Sequence, residues 1–205
     1  MLVQNARCAH PRWFRVELRA HKACPVTFGR LSERAVAIAT MISRIISGGQ
    51  TGVDRGALDF AIARGIAHGG FCPKGRRSES GRIPAAYALT ECSSSGYRMR
   101  TVLNVQHSDG TLILTIGRPE GGTRKTICFC IEHHKPKLIV DLRHRLKPQE
   151  FAGWIRAHDI RILNIAGPRE SKHPGLGRQT TKVLSRLFAA LDRRTGSTRR
   201  SSSRG

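Results

Sequence analysis

Apolar residues along this chain fall into short unbroken runs, separated by stretches with a helical rhythm. Residues 44–47, built on Ile45 and Ile46, are too short for a helix and read as a buried strand. In residues 54–64, Ala57, Leu58, Ala61 and Ile62 recur on one face of a helix. Residues 68–73 read as a short extended piece, and residues 74–90, with Pro84 and two glycines, as mostly loop. A helix over 94–106, a strand over 111–116, a helix over 123–134 and a strand over 137–142 follow. The pattern closes with a helix over 148–158, a strand over 161–165 and a last helix over 177–192. Strands alternating with helices imply crossover connections and a parallel sheet covered on both faces. The strands are continuously apolar, as burial on both sides requires. The expectation is therefore an α/β, three-layer fold with a mostly parallel sheet of about five strands, occupying residues 41–194. No internal repeat is visible.

The two ends differ from this body. Residues 1–40 mix Arg, His, Cys and Trp with no sustained period, and read as a basic N-terminal extension outside the core. Being Arg-rich and acid-poor, they also fit a transit peptide. Residues 195–205 are rich in Ser, Arg and Gly and read as a disordered basic tail. No apolar run approaches the roughly 18 residues that cross a bilayer, so no membrane partner is expected.

Charge changes the picture more than hydropathy does. The 205 residues hold 36 Lys and Arg against 14 Asp and Glu, a formal net charge of +22. Most of that excess lies between residues 41 and 191, so the folded body is itself basic and favours anionic ligands such as phosphates, nucleotides or nucleic acid. The six cysteines form no C-x-x-C pair and read as reduced thiols of a cytoplasmic protein, with Cys128 and Cys130 as small core residues. No metal-ligand spacing is present, and no intrinsic metal site is expected.

The chemistry collects in the turns that follow strands, where ligands bind in such sheets. The first turn is Ser47, Gly48, Gly49, Gln50, Thr51, Gly52, Val53, Asp54 and Arg55. Its glycines let a backbone approach an anion, the helix start supplies free N–H groups, and Gln50, Thr51 and Arg55 add donors. It is neither the dinucleotide G-x-G-x-x-G nor a P-loop. The second turn is Gly117, Arg118, Pro119, Glu120, Gly121, Gly122, Thr123 and Arg124, and Arg124 and Lys125 put positive charge at the helix start, where the dipole does not favour it unless an anion sits between. The third contains Gly167, Pro168, Arg169, Glu170, Ser171 and Lys172. A fourth basic cluster, Lys74, Gly75, Arg76 and Arg77, lies in the long loop. Ser47, Gly48, Gly49, Gln50, Thr51, Gly52, Arg55, Lys74, Arg76, Gly121, Gly122, Thr123, Gly167 and Arg169 are the expected phosphate-binding set. Signals for catalysis are thin. Asp54 and Glu170 are the candidates, and Asp54 is equally explained by the favourable field of a helix N-terminus.

These segments carry a resemblance. Residues 45–59 (IISGGQTGVDRGALD), 68–77 (HGGFCPKGRR), Arg100-Thr101, Asn104-Val105, 108–114 (SDGTLIL), Gly121-Gly122-Thr123 and 164–171 (NIAGPRES) resemble the molybdenum-carrier family, a circularly permuted YpsA-like group of the SLOG, lysine-decarboxylase-like Rossmann superfamily. The likeness runs from about residue 42 to 191. It implies a Rossmann-like fold and a sheet-edge pocket for a nucleotide or a phosphate-bearing, pterin-type cofactor such as the molybdenum cofactor. Residues upstream of Met41 match nothing in that family, which is consistent with a start near Met41. The related phosphoribohydrolases carry a Gly-Gly-x-Gly-Thr-x-x-Glu motif with a catalytic Glu. Here Thr126 stands in that place, and a hydroxyl cannot act as a general acid or base near neutral pH. The resemblance thus favours a carrier of an anionic small molecule over a nucleotide-processing hydrolase. A nucleic-acid binder like the DNA-processing protein DprA ranks third, because only 5% of residues are aromatic and stacking platforms are few. Leu184, Leu187, Phe188 and Leu191 line one helix face that suits either the core or a homo-oligomer interface.

Overall fold

In the computed structural model, which describes residues 41–144 and 146–195, the apolar runs become one parallel sheet. Along the chain, β1 (Arg44–Ile46) leads into α1 (Val53–Ala63), then β2 (Ala67–Gly69) and β3 (Phe71–Cys72). A single 3-10 turn (Lys74–Arg76), the hairpin β4 (Arg77–Ser78) and β5 (Gly81–Arg82), and β6 (Thr90–Glu91) make up the next stretch. After them come α2 (Tyr97–Gln106), β7 (Gly110–Thr115), α3 (Gly121–Glu132), β8 (Lys137–Asp141), α4 (Pro148–Ala157), β9 (Ile162–Ala166) and α5 (Leu176–Thr195). The expected extension over residues 1–40 and the tail from 196 lie outside the described residues.

The main sheet has the order β2-β1-β9-β7-β8, and every neighbouring pair is parallel. All six residues of β7, which lies between β9 and β8, are buried. Because side chains alternate along a strand, Leu112 and Leu114 face one layer and Ile113 the other. The first layer is α1, α4 and α5, which pack on each other around Phe60, Phe151 and Phe188. The Phe60 and Phe188 rings meet edge-on at 4.8 Å, a favoured aromatic geometry. The second layer is α2 and α3, closed by Val105, Phe129 and Cys130. The architecture is an α/β, three-layer, Rossmann-like fold. Leu184, Leu187, Phe188 and Leu191 are all in the first layer's core, so their apolarity is explained within one chain.

Local chemistry sets the ends of the helices. The helix α1 stops where Gly65 takes φ 64°, and the amides of Gly65 and Ile66 bond back to Ile62 and Ala61 at 3.1 and 2.9 Å. That is the Schellman closure. Pro148 at the start of α4 has no N–H to leave unpaired. The helix α2 begins at Tyr97, three residues later than its sequence suggests, because Ser94 accepts the Gly96 amide through Oγ at 3.0 Å and holds a turn there. One expectation is corrected: Cys130 is buried but Cys128 is exposed. Two residues apart on α3, they face different sides, and only one of them can reach the core.

Candidate functional site

The connection from β1 runs to one side of the sheet and that from β7 to the other, with β9 between them. Such a parting of connections leaves a crevice beyond the carboxyl ends of the strands. A cleft of about 720 Å³ lies there. Its walls come from the first turn (Gln50, Asp54), from α2 (Tyr97, Arg98, Arg100, Thr101), from the end of β7 through the start of α3, and from the segment after β9.

The first turn is packed shut. An added Cβ at Gly52, whose φ is 75°, would lie 2.6 Å from the Pro168 carbonyl oxygen and 2.7 Å from the Glu170 nitrogen. Gly49 sits beneath Ile83 and Leu89, and any side chain at Gly48 would overlap the Arg100 guanidinium. Ser47 donates through Oγ to the Ile165 carbonyl at 2.7 Å. The Thr51 hydroxyl donates to Glu79 and accepts the Glu170 amide at 3.3 Å. Ser47, Gly48, Gly49, Thr51 and Gly52 therefore form the floor that locks the first turn to the third, behind the cleft wall. Arg55 points to the β4–β5 hairpin, donating to Ser80 and Ser78 at 3.2 and 3.4 Å. Arg76 donates to the carbonyls of Ile83, Leu89, Pro84 and Tyr87 at 2.8 to 3.1 Å, stapling the loop over Gly49. Lys74 is exposed and not part of the cleft wall.

Gln50 and Asp54 are the members of this turn that face the cleft. Gln50 is 3% exposed. Its Oε1 accepts the amides of Thr51 at 3.0 Å and Glu79 at 2.9 Å, which fixes the amide so that Nε2 must be the other atom. That Nε2 is buried and has no partner among the described residues. Asp54 accepts Arg100 at 2.8 Å and the Gln50 amide at 3.3 Å. Burial pushes its carboxyl above the ordinary carboxylate range, against the pull of the Arg100 charge and hydrogen bond.

The second turn is open. The helix α3 begins with Gly121 and Gly122, no side chain caps it, and a Cβ at either glycine would meet nothing within 4 Å. Its first N–H groups and its dipole are thus presented to the cleft. Thr123 is buried beside them, and Thr126 donates through Oγ1 to the Gly122 carbonyl at 3.0 Å. From the third turn, Gly167 and Arg169 reach the cleft. Glu170 does not line it; both its oxygens accept amides at the start of α5, from Gly175 and Gly177. Glu79 binds Ser171 and Thr51. Desolvation raises its carboxyl, but these hydrogen bonds outweigh that and hold it below the ordinary range.

Of the expected set, Gln50, Gly121, Gly122, Thr123, Gly167 and Arg169 are brought to one cleft. The wall also holds Arg118 and Lys125, the charges flanking the second turn, and three residues the turn motifs did not suggest: Tyr97, Arg98 and Arg100. The Arg169 and Arg100 guanidiniums lie 5.0 and 5.9 Å from the Tyr97 ring centre. The alternation of Arg98 and Arg100 on a helix of low apolarity was the available signal. No spacing rule links Arg100 to Asp54, 46 residues away. Among the described residues no group of three or more His, Cys, Asp or Glu could hold a metal ion, and no helix is long and apolar enough to cross a membrane.

Fold and cleft together define a Rossmann-like α/β protein with an electropositive crevice at the carboxyl edge of its sheet. Residues 45–188 match the circularly permutated YpsA SLOG family, and the chain belongs to that family. It is also similar to a solved structure from Syntrophus aciditrophicus SB, named as a putative molybdenum carrier protein. The two share 46% sequence identity, with 72% of this chain and 95% of the other covered and a TM-score of 0.68. No curated protein matches the chain.

Proposed function

We propose that this protein is a cytoplasmic carrier that holds an anionic, phosphate-bearing small molecule in the cleft, with a molybdenum cofactor as the ligand the relative's name suggests. The observation that carries this reading is the uncapped start of α3 at Gly121 and Gly122, open to a cleft whose wall carries more cations than carboxylates. A phosphate there accepts from several amides at once and lies on the positive end of the helix dipole. Thr123 adds a hydroxyl and Lys125 a charge. The donor set fits the phosphate end of such a cofactor. The metal would be carried by the cofactor's own ligands and supply its redox chemistry only after delivery. Gln50 offers a further buried donor that an acceptor on the ligand satisfies; left unpaired, such a donor costs about 1–3 kcal/mol. Of the hydrolase candidates, Glu170 is held at the start of α5, Asp54 is tied to Arg100, and Thr126 in the place of the catalytic Glu is bonded to Gly122.

Mass spectrometry of small molecules released from the purified full chain, with molybdenum analysis of the same sample, tests the reading. A phosphate-bearing species accompanied by molybdenum is expected. A chain that releases no phosphorylated molecule, and takes up none when it is supplied, would overturn it.

A further inference from the structure

The start of α3 accounts for one phosphate, yet the opposite wall of the cleft is also built for an anion. The cleft wall carries six cations, Arg98, Arg100, Arg118, Lys125, Arg169 and Lys172, against two carboxylates, Asp54 and Glu120. A single phosphate dianion does not balance that excess. On the wall formed by α2 and the third turn, the Arg169 and Arg100 guanidiniums both lie against the Tyr97 ring. Such contacts hold a guanidinium in place while leaving its N–H edge free to bind. Behind them Arg100 is anchored by Asp54, and its Nε is buried without a partner among the described residues. Gln50 Nε2, nine-tenths or more buried, is likewise unpartnered. Two buried donors on residues that line one cleft and both bond Asp54, each short of an acceptor, point to a ligand group that supplies one.

Resting on the carrier reading, we infer that the cleft contains a second anion subsite, formed by Arg169, Arg100 and Gln50, so that its ligands carry two linked anionic groups. The ligand class is a pyrophosphate-bridged or diphosphorylated molecule, with one phosphoryl group at the start of α3 and the next at this wall. Arg169 is exposed, so it can be changed without loss of the core.

The test is calorimetric titration of the full chain at fixed ionic strength with inorganic phosphate and with inorganic pyrophosphate, for the wild type, Arg169→Gln and Gly122→Ala. Expected is a preference for pyrophosphate of at least about tenfold in the wild type, since charge-assisted hydrogen bonds are the strong ones. Arg169→Gln should remove most of that preference, weakening pyrophosphate binding far more than phosphate binding, and Gly122→Ala should weaken both probes. Equal affinity for the two probes in the wild type, or an Arg169→Gln variant that keeps the preference, would overturn the second subsite and leave the carrier reading standing. Binding of neither probe would overturn both.

Discussion

The first and second glycine turns look alike in sequence: each follows a strand, opens a helix and mixes glycines with a threonine and an arginine. In the folded chain they do opposite things. At the first, the glycines are present because other atoms occupy the space where side chains would be, backbone of Pro168 and Glu170 at Gly52 and the Arg100 guanidinium at Gly48. At the second, that space is empty and the amides face a cleft. A glycine cluster therefore signals either close packing or an open cradle, and only the three-dimensional neighbourhood separates them. Here the closed turn is the scaffold and the open one presents the donors.

Substitutions should separate the two turns, and the largest effect is expected at the closed one. Gly52→Ala puts a Cβ into backbone at a φ that side chains avoid, and should cost at least about 4 kcal/mol, the range of severe core defects. Chemical denaturation measures it; near-wild-type stability would show that the first turn is not locked to the third. Next, Asp54→Asn leaves Arg100 without its counter-charge. Breaking a buried pair from one side costs roughly 3 kcal/mol, and the same denaturation should show it. Gly122→Ala sharpens the contrast. In the open helix start it should hold or raise stability by roughly 0.5–1 kcal/mol while weakening ligand binding, as seen in paired denaturation and titration. The smallest effect concerns the loop over the closed turn. Burial and its hydrogen bond to Asp59 push the Tyr87 hydroxyl up to about 12. Between the ordinary tyrosine value near 10 and that point, the folded chain keeps a proton the unfolded chain has lost. Stability should therefore fall as pH rises through this window, and Tyr87→Phe should flatten that part of the stability–pH curve.

Much of the fold was legible because buried parallel strands cannot hide. Residues 111–116 read as an apolar run bounded by turn residues, and β7, Gly110–Thr115, is buried throughout. The helix start at Gly121 was less legible, since two glycines are poor helix formers and the rhythm pointed to Thr123. In the site, sequence indicated which loops meet but not which charges face the cleft. Arg76 and Arg169 both follow a proline or glycine in basic loops, yet one is consumed by four backbone carbonyls and the other opens on the cleft. A guanidinium binds a carbonyl as readily as a phosphate, so local sequence cannot choose between them. Arg100, part of a matching segment but not of the expected site, was left out of the site for a different reason. Its meaning comes from Asp54 and Gly48, which are distant along the chain and meet it only through tertiary packing.

The most direct test is an amide NMR titration of the full chain with a nucleoside monophosphate. Saturable shifts centred on the amides of Gly121, Gly122 and Thr123, together with the Gln50 side-chain amide, are predicted, with those of Gly49 and Gly52 unmoved. Shifts centred on Gly49 and Gly52, with the start of α3 silent, would contradict the division between a closed scaffold and an open cradle.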